Sequence, residues 1–394
     1  METTTLRVGE PRELLALIPF QLGFAPRDSA VVVSLRSPRR RVGLVARVDL
    51  ADLTDATDGP QVARSLVTHL VSDGARSAVV VVYTDDDLQS RDQDEVAPRG
   101  TAVDPPHGVL AAYALREAGE YFLGEMECWV VGPRGFYNLE CLDRACCPPG
   151  GRPLHELQST AVGAEMVLRG ATVAPSRADV GRIEMAPAAA RRSARRSGSR
   201  WAARARAAVE SSELYRWRLE GLQLWRHELD AARRGSETWT VPGTTALGRL
   251  QAALEDVLVR DAVLLSVLPG PARVGERILV GDAGEEVGEA LRALTDPSDG
   301  TPPEEDVNRA ARLVLEQVVA HGVRRGHGPA LTLLGVLAWW EGDGARAGVL
   351  VERALAASPG YRLALLLDEA LSAGMPPGWL RPGREEPAGG PGGL

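Results

Sequence analysis

Between residues 19 and 50 the chain limits its own fold more than anywhere else. Pro19-Phe20-Gln21-Leu22-Gly23-Phe24-Ala25-Pro26-Arg27-Asp28-Ser29 is a loop punctuated by Pro and Gly, followed by apolar runs at 30–35 and 42–50 across an Arg-rich turn. Two β-rich runs joined by a short polar connection predict a hairpin, and their apolar content predicts strands buried on both faces. Upstream, residues 12–18 read as a short helix that Pro19 ends. Downstream, 60–72 places Val62, Leu66, Leu70 and Val71 on one helical face, and 77–83 is the unbroken apolar run of a covered central strand. A helix over 107–119, with Gly119 just past its end, precedes strands at 126–131 and 136–139. Strands alternating with helices predict a three-layer α/β domain whose mixed sheet opens with an antiparallel hairpin.

The second half has a different grammar. A helix over 157–169 closes the first domain, taken as residues 1–173. Residues 174–200 are rich in Arg, Ala, Ser and Pro and read as a linker. From Trp201 every periodic segment is helical, including one long helix over 201–234 with a soft point at Gly221 and another over 245–268. This predicts an all-α domain over 201–380 and a disordered Gly/Pro tail over 381–394. Leu334, Gly335, Ala338, Ala347, Val351, Ala354 and Pro359 match the spacing of a tetratricopeptide helix pair, with a third helix starting at Pro359. A peptide-binding solenoid needs about three repeats; one copy reads as a terminal hairpin packed for stability.

Length and composition fit a soluble chain of two to three domains: 394 residues, 44% hydrophobic and 25% charged. The formal charge of −8 argues against wholesale binding to nucleic acid or anionic membranes. All 45 basic residues are Arg, which rules out a Schiff-base or P-loop lysine. No apolar run of about 18 residues and no secretory signal is visible. Four clustered cysteines do not make a secreted disulfide scaffold, so a reducing cytoplasm is the expected address. The Walker, dinucleotide, nucleophile-elbow and zincin motifs are absent, which leaves a discontinuous active site open.

Several blocks together resemble one family of actinobacterial proteins known as domain of unknown function 4192. They are the 19–29 stretch with its following Val run, Arg47-Val48-Asp49-Leu50, Cys146-Cys147-Pro148-Pro149-Gly150, Asp256-Val257-Leu258-Val259-Arg260-Asp261 and Trp339-Trp340-Glu341-Gly342-Asp343-Gly344. Pro359-Gly360-Tyr361 and Gly374-Met375-Pro376-Pro377 look similar too. The resemblance implies a cytoplasmic actinobacterial protein and supplies no catalytic residue.

Four residue groups carry candidate chemistry. Asp28, Ser29, Arg47 and Asp49 gather at strand ends, where α/β sheets bind ligands, and a guanidinium there would hold phosphate or carboxylate. The alternative is an Arg–Asp pair anchoring the hairpin, with Asp28 or Ser29 capping a turn. Cys128, Cys141, Cys146, Cys147 and His155 offer zinc ligands, at spacings unlike the usual knuckle, beside the alternatives of buried apolar cysteines or a redox pair. Asp85, Asp86 and Asp87 follow the central strand and would suit Mg²⁺ or a solvated loop. Arg191, Arg192, Arg195, Arg196 and Arg200, continuing to Arg204 and Arg206 around Trp201, would bind nucleic-acid phosphates, or form a flexible linker. The expected function is a ligand- or partner-binding adaptor with a protein partner, nucleic-acid association or a homo-oligomer being open. The alternative is an α/β enzyme acting on a phosphorylated or carboxylated small molecule.

Overall fold

The computed structural model describes residues 10–37, 39–86, 88, 105–209, 213–235, 239–270, 273–282 and 284–380. Asp87 and the tail over 381–394 lie outside them. The chain divides into two units, Met1–Asp179 and Val180–Leu394.

The first unit runs α1 (Pro11–Leu22), β1 (Ser29–Arg36), β2 (Arg41–Asp49), α2 (Leu50–Thr54), α3 (Gly59–Ser72), β3 (Ala75–Tyr83), α4 (His107–Leu123), β4 (Glu127–Val131), β5 (Phe136–Asn138), α5 (His155–Gln158) and α6 (Ala161–Leu168). The five strands order as β2-β1-β3-β4-β5. β1 is antiparallel to both neighbours, with Val33 opposite Val45 and Val79, while β3 and β4 are parallel across the α4 crossover. The hairpin and mixed sheet are as the sequence predicts.

β1 is buried on both faces, but β2 is only half-buried along its length, because it is the sheet's edge. Even-numbered Ala30, Val32, Val80 and Val82 share a core with Leu53 of α2, Val67 and Leu70 of α3, and Leu115 of α4. Odd-numbered Val31, Val33 and Val81 are equally inaccessible on the opposite side. There α1 touches β2 and packs with α5 and α6. Fully burying each Val contributes roughly 1.5–3 kcal/mol, so these strands outweigh any single polar contact in placing the sheet.

Two helix ends differ from expectation. Pro19 lies inside α1 rather than ending it; the helix runs on to Leu22 and stops at Gly23, whose φ of 75° is left-handed. Burial of Leu14, Leu15, Ile18 and Leu22 offsets the hydrogen bond that Pro removes. Gly119 sits within α4, where a Cβ would lie 2.6 Å from the Met126 methyl and push that side chain aside, and the helix ends before Gly124. The helix expected over 157–169 is two short ones, α5 and α6, separated at Thr160, whose hydroxyl caps α6.

The second unit contains α7 (Ala188–Ala208), α8 (Glu213–Arg234), α9 (Thr244–Leu254), α10 (Val257–Val267), α11 (Arg273–Ile278), α12 (Glu285–Thr295), α13 (Glu305–His321), α14 (His327–Trp340), α15 (Gly344–Ala357) and α16 (Arg362–Ser372). Among the described residues no strand follows Asn138. The segment expected as a linker is therefore corrected: from Ala188 it is a packed helix. Gly248 of α9 leaves no room for a Cβ, which would lie 2.0 Å from the Ala194 carbonyl oxygen of α7. Small residues Ala194, Ser197 and Gly198 thus form a close helix crossing, and the Ser197 hydroxyl donates to the Thr245 carbonyl at 3.0 Å.

The expected 201–234 helix is likewise divided between α7 and α8, with Gly221 inside α8 against Ala253. The 245–268 helix breaks at Asp256, whose carboxylate caps α10 by accepting from the amides of Leu258 and Val259. α14 is buried all round and pairs with α15 as a hairpin; α16 packs on both, and Gly335 lies against Val351 and Leu367.

Candidate functional site

In the helical unit, α7, the turn after α13, the start of α14 and the end of α15 enclose a concave pocket of about 650 Å³. Its wall carries Arg191, Arg192 and Arg195 from α7, Arg324 from the turn, His327 from α14 and Arg353 from α15. None of the lining residues is acidic. Local packing explains the placement. The small face of α7 is consumed by the α9 crossing, which turns its arginines outward. The Ala186 amide donates to the Ala320 carbonyl at 3.0 Å, fixing the entry of α7 beside the end of α13.

Two of these arginines are held by backbone carbonyls. Arg191 Nε donates to the Ala186 carbonyl at 3.1 Å, and Arg353 Nη1 to that of Gly181 at 2.5 Å. Among the described residues none of the five pairs with a carboxylate. Burial, with no acid to oppose it, lowers the Arg353 pKa from its ordinary value. His327 hydrogen-bonds the Gly322 backbone, while its Nε2 is buried without a partner among the described residues. Burial first, then the charges of Arg353 and Arg324, hold the imidazole below its usual pKa and so favour the neutral ring. Helices α7 and α14 begin at the pocket and α13 and α15 end there, so their dipoles oppose one another. The guanidinium groups set its sign.

Of the run proposed for nucleic acid, Arg191, Arg192 and Arg195 line this pocket; Arg196 and Arg200 are exposed on α7 outside its lining. Arg204 pairs with Glu220 and lies over the Trp201 ring. Arg324, His327 and Arg353 have no local signal, since they are scattered through helical segments that read as ordinary scaffold.

At the sheet's end, Arg47 directs Nη1 and Nη2 to the two carboxylate oxygens of Asp49, at 3.0 and 2.5 Å. Asp28 is exposed with a left-handed φ of 42°, and its carbonyl accepts the Leu50 amide. Ser29 is fully buried with no hydrogen-bond partner for Oγ among the described residues. The two terminal nitrogens of Arg47 are thus taken up by Asp49 and the Arg27 carbonyl, while Nε is buried without a partner among the described residues. Asp85 and Asp86 follow β3, and the Asp86 amide donates to the Thr84 hydroxyl.

The cysteines separate. Cys128 is buried in β4, and burial pushes its thiol up to about 12. Cys141, Cys146 and Cys147 bring their sulfur atoms within 4.8 Å of one another. Of the five residues offered as zinc ligands, Cys128 and His155 do not join that group. β4 points Cys128 into the core shared with α4, and α5 carries His155 elsewhere.

The blocks that carried the family resemblance are structural in the helical unit. Arg260 of the 256–261 block reaches Tyr361 of the 359–361 block at 3.0 Å and Asp261 at 2.8 Å. Trp339 Nε1 donates to the Met375 carbonyl at 2.8 Å. No curated protein and no solved structure matches the chain. The family model described as a domain of unknown function, DUF4192, matches residues 11–378, and the chain belongs to that family.

Proposed function

We propose that the protein binds a small organic anion, bearing phosphate or carboxylate groups, in the arginine pocket, and acts as a cytoplasmic ligand-responsive binding or adaptor protein. The observation that carries this reading is the convergence on one cavity of five guanidinium groups that have no carboxylate partner among the described residues. Clustered like charge destabilises a fold unless something answers it, and bidentate guanidinium contacts to an oxyanion do so. The volume lies within the roughly 300–1,000 Å³ typical of small-molecule sites. The α14–α15 hairpin with α16, tetratricopeptide-like in its spacing, would relay occupancy to a protein partner, since α14 and α15 both contribute pocket residues.

Calorimetric titration with pyrophosphate, ATP and citrate, with adenosine as the neutral control, tests it. Binding of an anion and not of adenosine is expected, weakened about tenfold or more by Arg353→Gln. Absence of binding to all three anions at millimolar concentration would sink the reading. A single-stranded oligonucleotide competing at the same site, with a steep salt dependence, would favour nucleic acid instead.

A further inference from the structure

We propose that Cys141, Cys146 and Cys147 form a three-thiolate site for a zinc-class metal ion. It rests on the sheet unit and is independent of the arginine pocket. The three sulfur atoms lie within 4.8 Å of one another. Zinc–sulfur bonds of about 2.3 Å in a tetrahedral arrangement place sulfur atoms about 3.8 Å apart, so a small contraction of the turn closes them on one ion.

The turn is what makes neighbouring cysteines converge. The Asp143 carbonyl accepts the amides of both Cys146, at 3.1 Å, and Cys147, at 2.8 Å. The Asp143 carboxylate accepts the Ala145 amide at 2.9 Å, tightening the same loop. Cys141 enters from the end of β5, its amide donating to the Asn138 carbonyl at 3.3 Å. Gly150 and Gly151, at φ of 84° and 83°, then turn the chain away. Adjacent cysteines in an extended strand would point apart; helical-type i,i+3 and i,i+4 bonds to one carbonyl bring them to the same side.

The donor set selects its metal. Three soft thiolates favour Zn²⁺, Cd²⁺ or Cu⁺ over Mg²⁺ or Ca²⁺. Binding converts each thiol to a thiolate, releasing its proton to solvent, with no change of oxidation state. Cys147 is buried, Cys141 half-buried and Cys146 exposed, so the fourth tetrahedral position opens to solvent beside Cys146 for water or an added ligand.

The test is titration of the reduced full-length protein with Co²⁺ under anaerobic conditions, followed by Zn²⁺ displacement. The expected result is a sulfur-to-cobalt charge-transfer band saturating at one equivalent and abolished by Zn²⁺. Cys146→Ser, at the exposed position where folding is least disturbed, should weaken binding at least tenfold with an unchanged circular dichroism spectrum. Cys128→Ser should leave it intact. Absence of the band, or a band unaffected by Cys146→Ser, would overturn the proposal. So would thiol-reagent kinetics that are the same with and without Zn²⁺.

Discussion

In the sheet unit, Arg36 and Arg47 each present both arms of the guanidinium fork to one carboxylate, Asp73 and Asp49 respectively. In the helical unit, Arg191, Arg192, Arg195, Arg324 and Arg353 converge on a wall that contains no acid. One residue type thus serves two ends. Asp73 also accepts from the Ser34 hydroxyl at 2.7 Å and the Leu44 amide at 2.8 Å, tying β1, β2 and the end of α3 into one knot. Gly43 is required beside it, because a Cβ there would lie 2.3 Å from the Asp73 oxygen. A satisfied guanidinium fastens the fold; a group of them with no carboxylate partner among the described residues is what the proposed anion site rests on.

Four variants can break that comparison. The largest effect belongs to the knot. Asp73→Ala should destabilise the sheet unit by about 3–5 kcal/mol, because it strands the Arg36 guanidinium and two further donors in a largely buried setting. Urea denaturation followed by circular dichroism checks this, and a loss below about 1 kcal/mol would remove the contrast. Next is the α7–α9 crossing: Gly248→Val should cost about 1–3 kcal/mol through overpacking. It should also weaken anion binding, since it displaces the helix bearing Arg191, Arg192 and Arg195. Unchanged affinity in a destabilised variant would separate the pocket from α7.

The double substitution Arg324→Gln, Arg353→Gln should have the opposite signature. Stability in the absence of ligand should stay within about 0.5 kcal/mol of the original or rise, while the anion-induced increase in melting temperature disappears. The smallest effect concerns pH. His327 is held below its ordinary pKa, so between that depressed value and 6.5 the unfolded chain binds more protons. Stability from this group is therefore present above 6.5 and falls as pH falls through the window. Arg324 and Arg353 face the ring, with Arg191, Arg192 and Arg195 on the same pocket. His327→Asn should flatten the pH dependence of the melting temperature, and a bound anion should restore stability at the acid end; identical slopes would deny His327 this role.

Much of the sheet was legible because its signal is local. Runs such as Val79 to Val82 have one economical fate, a covered strand, and the Pro/Gly loops mark where each ends. The helical boundaries were less legible. Pro19 and Gly119 were misread as stops, since burial of Leu14, Leu15 and Ile18, and of the Met126 contact, overrides local propensity. The Arg-rich segment concealed a helix for a related reason: arginine dominates its composition, while Ala194, Ser197, Gly198 and Trp201 carry the packing.

By itself the amino-acid order determined the hairpin, the α/β-then-α succession, the absence of lysine chemistry and three of the five pocket arginines, all of which depend on neighbours along the chain. Only tertiary structure decided that Arg324, His327 and Arg353 join Arg191 across more than 130 positions, and that Cys141, Cys146 and Cys147 converge while Cys128 does not. The reason is physical: hydrogen-bonded turns and helical periodicity act over a few residues, whereas a pocket is made by surfaces that meet only after distant apolar faces have been buried.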